Sequence, residues 1–400
     1  MELNFRFEDF IVESPIGQGA FGQIYKAIEI KSGKTFALKA LNRRFLIKMK
    51  KQSLATQEKD ALTKAASPFV VKLYGTFKDA SNLYFVLDYA EHGDLAEAVN
   101  DLGSLNTKAT TYVCAQLLEA ISTLHAKNII HRDIKIENIL LNYKNYIMLT
   151  DFGTAMMTDN DDSGFRPSSV VGTPDFVAPE LLNDGHICYG SDMWAFGCVI
   201  FNLLTGKAPF EGNSTPELMS NIVARKICSD IEKLPKASQN IITSLLEIDP
   251  KKRLGYNENS KGYPSIRNHP FFKNIPWDKL ETTEMPLFGP FKPETATSFA
   301  EDMLAPGETI MLEGVVERKR GLMWKGRLLI ITNQKKLLIF NIENKTLKST
   351  IQINAKVKVQ VAKDGKEWTL NYGDKSQLFR CKNGDAGLWA STIIKSLTTR

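Results

Sequence analysis

Apolar residues recur in two rhythms along this chain, and the rhythm changes near residue 306. In the first part, short apolar runs bounded by turn residues alternate with longer stretches of helical period. Residues 11–14, 24–29, 36–38 and 82–88 read as strands, and 145–150 is strand-like. In 53–66, Leu54, Glu58, Ala61, Leu62 and Ala65 fall on one helical face, while Asp60 points away. Residues 107–126 form a long helix carrying Tyr112, Leu117, Leu118, Ile121 and Leu124. Residues 193–204 are apolar nearly all round, carry Asn202 and are too short to span a bilayer, so they read as a core helix. From 273 to 306 no period holds and prolines recur at 276, 286, 290, 293 and 306, as in a tail or linker. Beyond Glu308 the period is two. Segments 327–331 and 336–340 flank a polar turn, and Val357, Val359 and Val361 alternate with Lys358 and Gln360. Asp364-Gly365 is a hairpin signal, and a final helix sets Ala386, Trp389, Ile393 and Leu397 on one face.

Composition narrows the class without changing this picture. Four hundred residues, 43% hydrophobic and 24% charged, suit two or three globular domains. The five cysteines are scattered, odd in number and without C-x-x-C spacing, which fits reduced intracellular thiols. The opening Met-Glu-Leu-Asn-Phe-Arg-Phe-Glu-Asp is too charged for a signal peptide, so a cytoplasmic protein is expected. Charge is unevenly divided: residues 305–400 hold 18 Lys/Arg against 8 Asp/Glu, and residues 1–304 hold 33 against 37. A basic C-terminal quarter on a slightly acidic body suggests a module for an anionic surface or ligand. Solvated lysine-rich strands are the plainer reading.

The chemistry concentrates in His131-Arg-Asp133-Ile-Lys135-Ile-Glu-Asn138, with Asp151-Phe-Gly153 following 13 residues after Asn138. Phosphoryl transfer needs a carboxylate to receive the substrate hydroxyl and two groups to hold metal on the nucleotide phosphates, and this spacing supplies Asp133, Asn138 and Asp151. Gly17-Gln-Gly19-Ala-Phe-Gly22-Gln-Ile24 lies between strand-like segments, which favours a phosphate-covering hairpin over a dinucleotide turn, where a helix would follow. Lys39 sits beside the apolar Phe36-Ala37-Leu38 and needs a carboxylate partner; Glu58, an acid on an apolar helix face, is that partner. Asp88 to Ala90 fit an inter-lobe hinge whose backbone meets an adenine edge. Asp94 has two competing roles, ribose contact and helix N-cap. Arg253 suits Glu180 as a buried partner, and Ser169, in the segment between Asp151 and Glu180, suits Arg132 once phosphorylated.

Together these motifs resemble serine/threonine kinases of the AGC group, and the arrangement of the whole chain resembles the family of 3-phosphoinositide-dependent protein kinases. Asp151-Phe-Gly-Thr154-Ala155, Leu83-Tyr-Phe85, Ser169-Val-Val-Gly-Thr173 and a strand-rich pleckstrin homology pattern after the kinase region carry the resemblance. It implies an α+β, bilobal kinase fold at 10–272 (small lobe about 10–87, large lobe about 91–272), a tail at 273–306, and a small β-barrel capped by a helix at 307–400. It implies ATP and Mg2+ as cofactors, with Gly17, Gly19, Gly22, Ile24, Ala37, Lys39, Asp88, Ala90, Asp94, Asn138 and Asp151 about the nucleotide. Asn138 and Asp151 would hold metal; Asp133, Lys135, Lys39 and Glu58 would be catalytic. Lys135 with Thr173 implies serine/threonine specificity. The family docks hydrophobic motifs of its substrates, other AGC kinases, in a small-lobe groove matched here by Leu46, Ile47, Lys59, Thr76, Lys78, Leu83 and Phe85; the alternative is that these residues simply pack against the body of the small lobe. No such F-x-x-F motif follows Phe291-Lys-Pro, unlike protein kinase B.

Arg318-Lys319-Arg320-Gly-Leu-Met-Trp-Lys325-Gly-Arg327 resembles a phosphoinositide-binding signature, with Lys325 and Arg327 on one strand face and Lys319 converging on them. Membrane lipid partners and recruitment to the plasma membrane follow, and no nucleic acid is expected; the alternative is a kinase of another AGC branch whose pleckstrin homology domain binds protein. Departures are Ile136 where kinases usually have proline, a third glycine retained at Gly22, Met156 in place of a lysine that helps the activation-loop phosphate, and Leu54 and Gln57 in place of polar helpers. A pseudokinase adaptor would need one catalytic residue missing, and none is.

Overall fold

The structure, a computed structural model, describes residues 5–19, 22–49, 51–142, 146–158, 174–283, 285, 286, 288, 304, 305, 308–320, 323–341, 346–363, 365–373, 375–381 and 386–398. The chain divides into two compact units, 1–291 and 292–400, each with its own core.

The first unit opens with β1 (Phe10–Gly19), β2 (Gly22–Glu29) and β3 (Thr35–Asn42), continues through α1 (Arg43–Lys48) and α2 (Gln52–Lys64), and closes a sheet with β4 (Leu73–Lys78) and β5 (Asn82–Asp88). Strand order is β1-β2-β3-β5-β4, antiparallel throughout. The period of two sorts side chains between two cores. Ala37, Leu41, Phe85 and Leu87 pack with Ala61 and Leu62 of α2, whereas Phe36, Leu38 and Val86 pack with Phe5 and Phe10 on the other face. The strands expected at 11–14 and 24–29 are arms of one longer hairpin, because pairing continues to Gly19↔Gly22.

The rest of this unit comprises α3 (Leu95–Leu102), α4 (Thr107–Ala126), β6 (Ile129–Ile130), β7 (Ile139–Leu141), β8 (Ile147–Leu149), β9 (Met156–Met157), α5 (Pro179–Asp184), α6 (Tyr189–Thr205), α7 (Thr215–Val223), α8 (Lys236–Leu245) and α9 (Pro264–Arg267). Asn106 caps α4 by accepting from the Ala109 N–H at 2.9 Å. Every residue from Met193 to Leu204 of α6 is buried, as its all-round apolar pattern requires. No helix among the described residues is long and apolar enough to cross a membrane. The segment after α9 stays on this unit: Ile275, Leu280 and Met285 are buried in the main core, and the Tyr146 hydroxyl donates to the Thr283 carbonyl at 2.8 Å.

The second unit is a seven-stranded antiparallel sheet of β10 (Ile310–Arg320), β11 (Met323–Thr332), β12 (Lys336–Asn341), β13 (Thr346–Gln352), β14 (Val357–Val361), β15 (Glu367–Tyr372) and β16 (Lys375–Arg380), followed by α10 (Ala386–Thr398). Its order is β13-β12-β11-β10-β16-β15-β14. Alternate residues from all seven strands meet the face of α10 in one core, so the sheet wraps around it and the helix caps it. Trp368 stacks on Phe379 and on Trp389, with centroids 4.5 and 5.8 Å apart. The expected helix face of Ala386, Trp389, Ile393 and Leu397 is the one that packs.

Candidate active site

The catalytic loop is held from below by one carboxylate. Asp192, in the first turn of α6, accepts the backbone N–H groups of His131 and Arg132 at 2.8 and 2.9 Å and pairs with His125 Nε2 at 2.8 Å. Burial pushes its pKa up, but the His125 hydrogen bond and the His131 N–H outweigh burial and hold it below the usual carboxylate range. Arg132 takes a left-handed backbone (φ 71°), a strained conformation for a non-glycine residue that these contacts hold in place. His131 Nε2 donates to the Thr150 carbonyl at 3.0 Å, and its ring meets Phe152 edge-on at 4.9 Å.

Above this anchor the expected residues form two linked clusters. Asp133 Oδ2 lies 2.9 Å from Lys135 Nζ and accepts from Asn138 Nδ2 at 2.8 Å. Lys39 Nζ lies 2.6 Å from Glu58 Oε1 and 3.2 Å from Asp151 Oδ1. The Thr150 N–H, donating to the Asn138 carbonyl at 2.9 Å, ties the clusters together. Burial lowers the Lys39 pKa, but Glu58 and Asp151 overcome that and keep the ammonium charged. Lys39 likewise outweighs burial at Asp151, whose pKa is lowered. Glu58 is only 5% exposed and Asp60 is exposed, as the helix face predicts.

Of the three glycines in the β1–β2 hairpin, close approach explains Gly22. A Cβ on Gly22 would stand 1.7 Å from the Ala40 carbonyl oxygen, so only glycine lets β2 meet β3 there. A Cβ on Gly19 would lie 3.9 Å from Lys39 Cε, which places the hairpin over the lysine, and Ile24 pairs across from Lys39. Gly17 pairs across from Ile24, and Ala37 is 9% exposed. The Asp88 carboxylate accepts from the Tyr74 hydroxyl at 2.8 Å and from the Lys72 N–H at 3.1 Å, so it faces β4 rather than the cleft. Ala90 is half-buried in the connection that follows. Of the two roles open to Asp94, the structure displays the cap: it accepts from the Glu97 N–H at 2.9 Å.

Two arginines lie beyond these clusters. Glu180 and Arg253 form a buried pair with both contacts at 2.9 Å, and Arg253 also donates to the Gly190 carbonyl at 2.6 Å and to that of Glu247 at 2.9 Å. Arg132 Nε donates to the Thr154 carbonyl, and no carboxylate lies within 4 Å of its guanidinium among the described residues. Burial lowers its pKa against the opposing pull of Asp192. Ser168, Ser169 and Thr173 lie outside the described residues.

One expectation is divided by the structure and another needs correction. The first concerns the docking groove. Phe85 and Leu46 are 1% and 4% exposed and belong to the main core, because Phe85 alternates onto the same sheet face as Leu87 and sits among α2 side chains. What remains accessible is a rim of Ile47 (57% exposed), Lys78 and parts of Leu83, Thr76 and Lys59. The second concerns Lys319. In the β10–β11 ladder, Val316 pairs with Arg327 and Arg318 with Lys325, whereas Lys319 pairs with Trp324. Paired residues share a face. Lys325 and Arg327 therefore have Arg318 as their neighbour, and Lys319 is on the opposite face with its Nζ 5.8 Å from the Trp324 ring centroid. Arg318 stood one position earlier in the sequence, and the ladder register is the signal that was missing. Asp192 and His125 were missed as loop anchors; an acid opening an otherwise buried helix was the available hint.

The comparisons agree with this architecture. The family pattern described as "Protein kinase domain" matches residues 10–272, and that described as "PH domain" matches residues 298–399. Human "Putative 3-phosphoinositide-dependent protein kinase 2" is 38% identical over 288 residues, covering 72% of this chain and 72% of that protein. Rat "3-phosphoinositide-dependent protein kinase 1" is 38% identical over 288 residues, covering 72% of this chain and 51% of that protein. Dictyostelium discoideum "3-phosphoinositide-dependent protein kinase B" is 35% identical over 290 residues, covering 72% and 31%. The matched stretch thus spans about half the length of the rat relative and less of the slime-mould one. The chain belongs to the protein kinase family. Within it, this is a serine/threonine kinase similar to the 3-phosphoinositide-dependent protein kinases, with a PH domain after its catalytic domain.

Proposed function

We propose that the chain phosphorylates serine or threonine in the activation loops of other AGC kinases, using magnesium-ATP, and that its PH unit recruits it to phosphoinositides at the plasma membrane. The observation that carries the enzymatic part is the joined set of Asp133, Lys135 and Asn138 with Lys39, Glu58 and Asp151. Bound magnesium-ATP supplies the phosphoryl group and neutralises its charge. Asn138 and Asp151 offer one amide and one carboxylate, a ligand set suited to magnesium, which keeps waters and phosphate oxygens for its other positions. Asp133 receives the proton of the attacking hydroxyl, and Lys135 beside it steadies the negative charge. Lys39, fixed by Glu58, would hold the nucleotide phosphates, with the backbone N–H groups of Gly17, Gly19 and Gly22 available beside them. The guanidinium of Arg132 is the counter-charge for a phosphate on Ser169. Lys325, Arg327 and, from the register, Arg318 contact the lipid headgroup.

The deciding assay is phosphate transfer from ATP to a peptide copied from an AGC kinase activation loop, beside a scrambled peptide of equal charge. Selective transfer supports the reading. Equal transfer to both leaves a kinase of other specificity, and none removes the enzymatic role.

A further inference from the structure

The small-lobe sheet has a second concave side. Because residues on β2 and β3 alternate, Ile24 and Lys39 face the nucleotide side while Gln23, Tyr25, Leu38 and Ala40 face the reverse. On that reverse side lies a cleft of about 460 Å³, within the ~300–1,000 Å³ range of small-molecule sites. Its apolar lining is Leu38, Ala40, Val12 and the rings of Phe7 and Tyr84. The Tyr84 ring belongs to an aromatic stack, 4.6 Å from Phe77 and 5.5 Å from Phe7. The polar lining is uncharged: Gln23, Tyr25, Asn42 and Asn82.

The existing hydrogen bonds leave half of that lining unused. Gln23 Oε1 accepts from the Tyr25 hydroxyl at 2.6 Å, Asn42 Oδ1 from the Phe45 N–H at 2.9 Å, and Asn82 Nδ2 donates to the Tyr84 hydroxyl at 3.1 Å. Gln23 Nε2, Asn42 Nδ2 and Asn82 Oδ1 have no protein partner among the described residues, so two donors and an acceptor remain for a ligand. No carboxylate or ammonium is among the described lining residues, and a negative charge is bonded to that lining: the Asp79 carboxylate accepts from the Tyr84 hydroxyl at 2.9 Å, so an anionic ligand is disfavoured.

We propose that this cleft is a second ligand site, separate from the nucleotide, for an uncharged planar aromatic molecule bearing an amide-type donor and acceptor. The ring stacks beside Tyr84 over Leu38 and Ala40, and the amide meets Asn42 and Asn82. The site lies one strand-thickness from the nucleotide side, on the reverse of the strands that carry Ile24 and Lys39, so occupancy and ATP binding are compatible.

The test uses indole-3-acetamide as probe and the full chain saturated with a non-hydrolysable ATP analogue. Saturable binding is expected, with magnetisation transfer from the indole to the Leu38 and Val12 methyl groups. Indole-3-acetate, the same ring with a carboxylate, should bind on the order of tenfold or more weakly. Asn82→Trp, which fills the rim from β5, should abolish probe binding while thermal stability and peptide phosphorylation stay normal. Asn42→Ala should weaken binding about tenfold, the value of one or two neutral hydrogen bonds. Displacement of the probe by ATP, equal binding of the carboxylate, absence of transfer to Leu38 and Val12, or no saturable binding at all each overturns the proposal. The methyl readout on unaltered protein decides the matter even if Asn82→Trp does not fold.

Discussion

The catalytic loop and the β10–β11 hairpin each present a cluster of charged side chains, but they hold them by different means. Around the catalytic loop the groups are fixed by specific partners, some distant in the chain and one within the loop itself. Asp192 fixes the backbone of His131 and Arg132, Glu58 fixes Lys39 of β3, and Asn138, five residues on, fixes Asp133. In the hairpin, Lys325 and Arg327 owe their direction chiefly to strand parity, since they continue the face that buries Leu329 and Ile331, and among the described residues the Arg327 guanidinium donates only to the neighbouring Gly326 carbonyl. A site built from partners tolerates strained backbone and resists rearrangement, as the positive φ of Arg132 and Asp151 shows. A site built from parity is correct only while the register holds.

The comparison can be broken most sharply at Asp133. Asp133→Asn keeps the Asn138 and Asp151 ligands and should preserve ATP affinity while lowering turnover by ~10²–10⁴-fold, the range of general-base contributions. Near-normal turnover in purified protein would remove Asp133 from the chemistry. Next is its support. Asp192→Ala leaves two buried N–H groups and His125 without their acceptor and should cost about 3–5 kcal/mol of stability, measured by urea unfolding. Because the folded pKa of Asp192 is depressed, its stabilisation is present above the ordinary carboxylate range and is lost as pH falls through the folded value. The acid limb of the stability–pH curve should therefore flatten in Asp192→Asn, and an unchanged limb would assign that dependence to other groups.

The hairpin should respond with smaller effects. Replacing both Lys325 and Arg327 by alanine should weaken phosphoinositide vesicle binding roughly 10²-fold, since charge-assisted hydrogen bonds contribute about 1.5–3 kcal/mol each. Activity on a soluble peptide should be unaffected. Parity is tested directly by single changes: Arg318→Ala should cost about tenfold in vesicle binding, and Lys319→Ala much less. The reverse order would mean that the ladder register is not what aims these cations. The smallest effect belongs to the proposed, partly buried docking rim. An F-x-x-F peptide should raise activity on a short activation-loop peptide by a few-fold, and Leu83→Glu should remove the response. No response in unaltered protein would leave Leu83 and Ile47 as packing residues only.

The same contrast explains what the sequence made legible. Lys39–Glu58 and Glu180–Arg253 could be paired in advance because a buried charge demands an opposite one, and the chain offers few candidates. The α6 core helix and the α10 face were legible because their apolar patterns are long. The faces of Arg318 and Lys319 were not, since two adjacent cations obey the same motif and only the pairing of Lys319 with Trp324 separates them. The burial of Phe85 was left open between two readings: a strand residue reads alike whether it floors a groove or belongs to the core beneath it. Asp192 lay in plain view as a helix-opening acid, yet its partners, His125 and the 131–132 backbone, are brought to it only by the fold.

The segment after α9 has a practical consequence for anyone wishing to excise the catalytic unit. A cut after His269-Pro-Phe-Phe272 looks natural from the sequence, but it would strip Ile275, Leu280 and Met285 from the main core. At roughly 1.5–3 kcal/mol for each buried apolar side chain, that removes a large share of a typical domain's net stability. The stump would also expose Gln116, whose side-chain amide donates to the Met285 sulfur at 3.0 Å, and would leave the Tyr146 hydroxyl without its acceptor. A fragment ending there is a candidate for aggregation and proteolysis, so the boundary for a well-behaved catalytic fragment falls beyond residue 285.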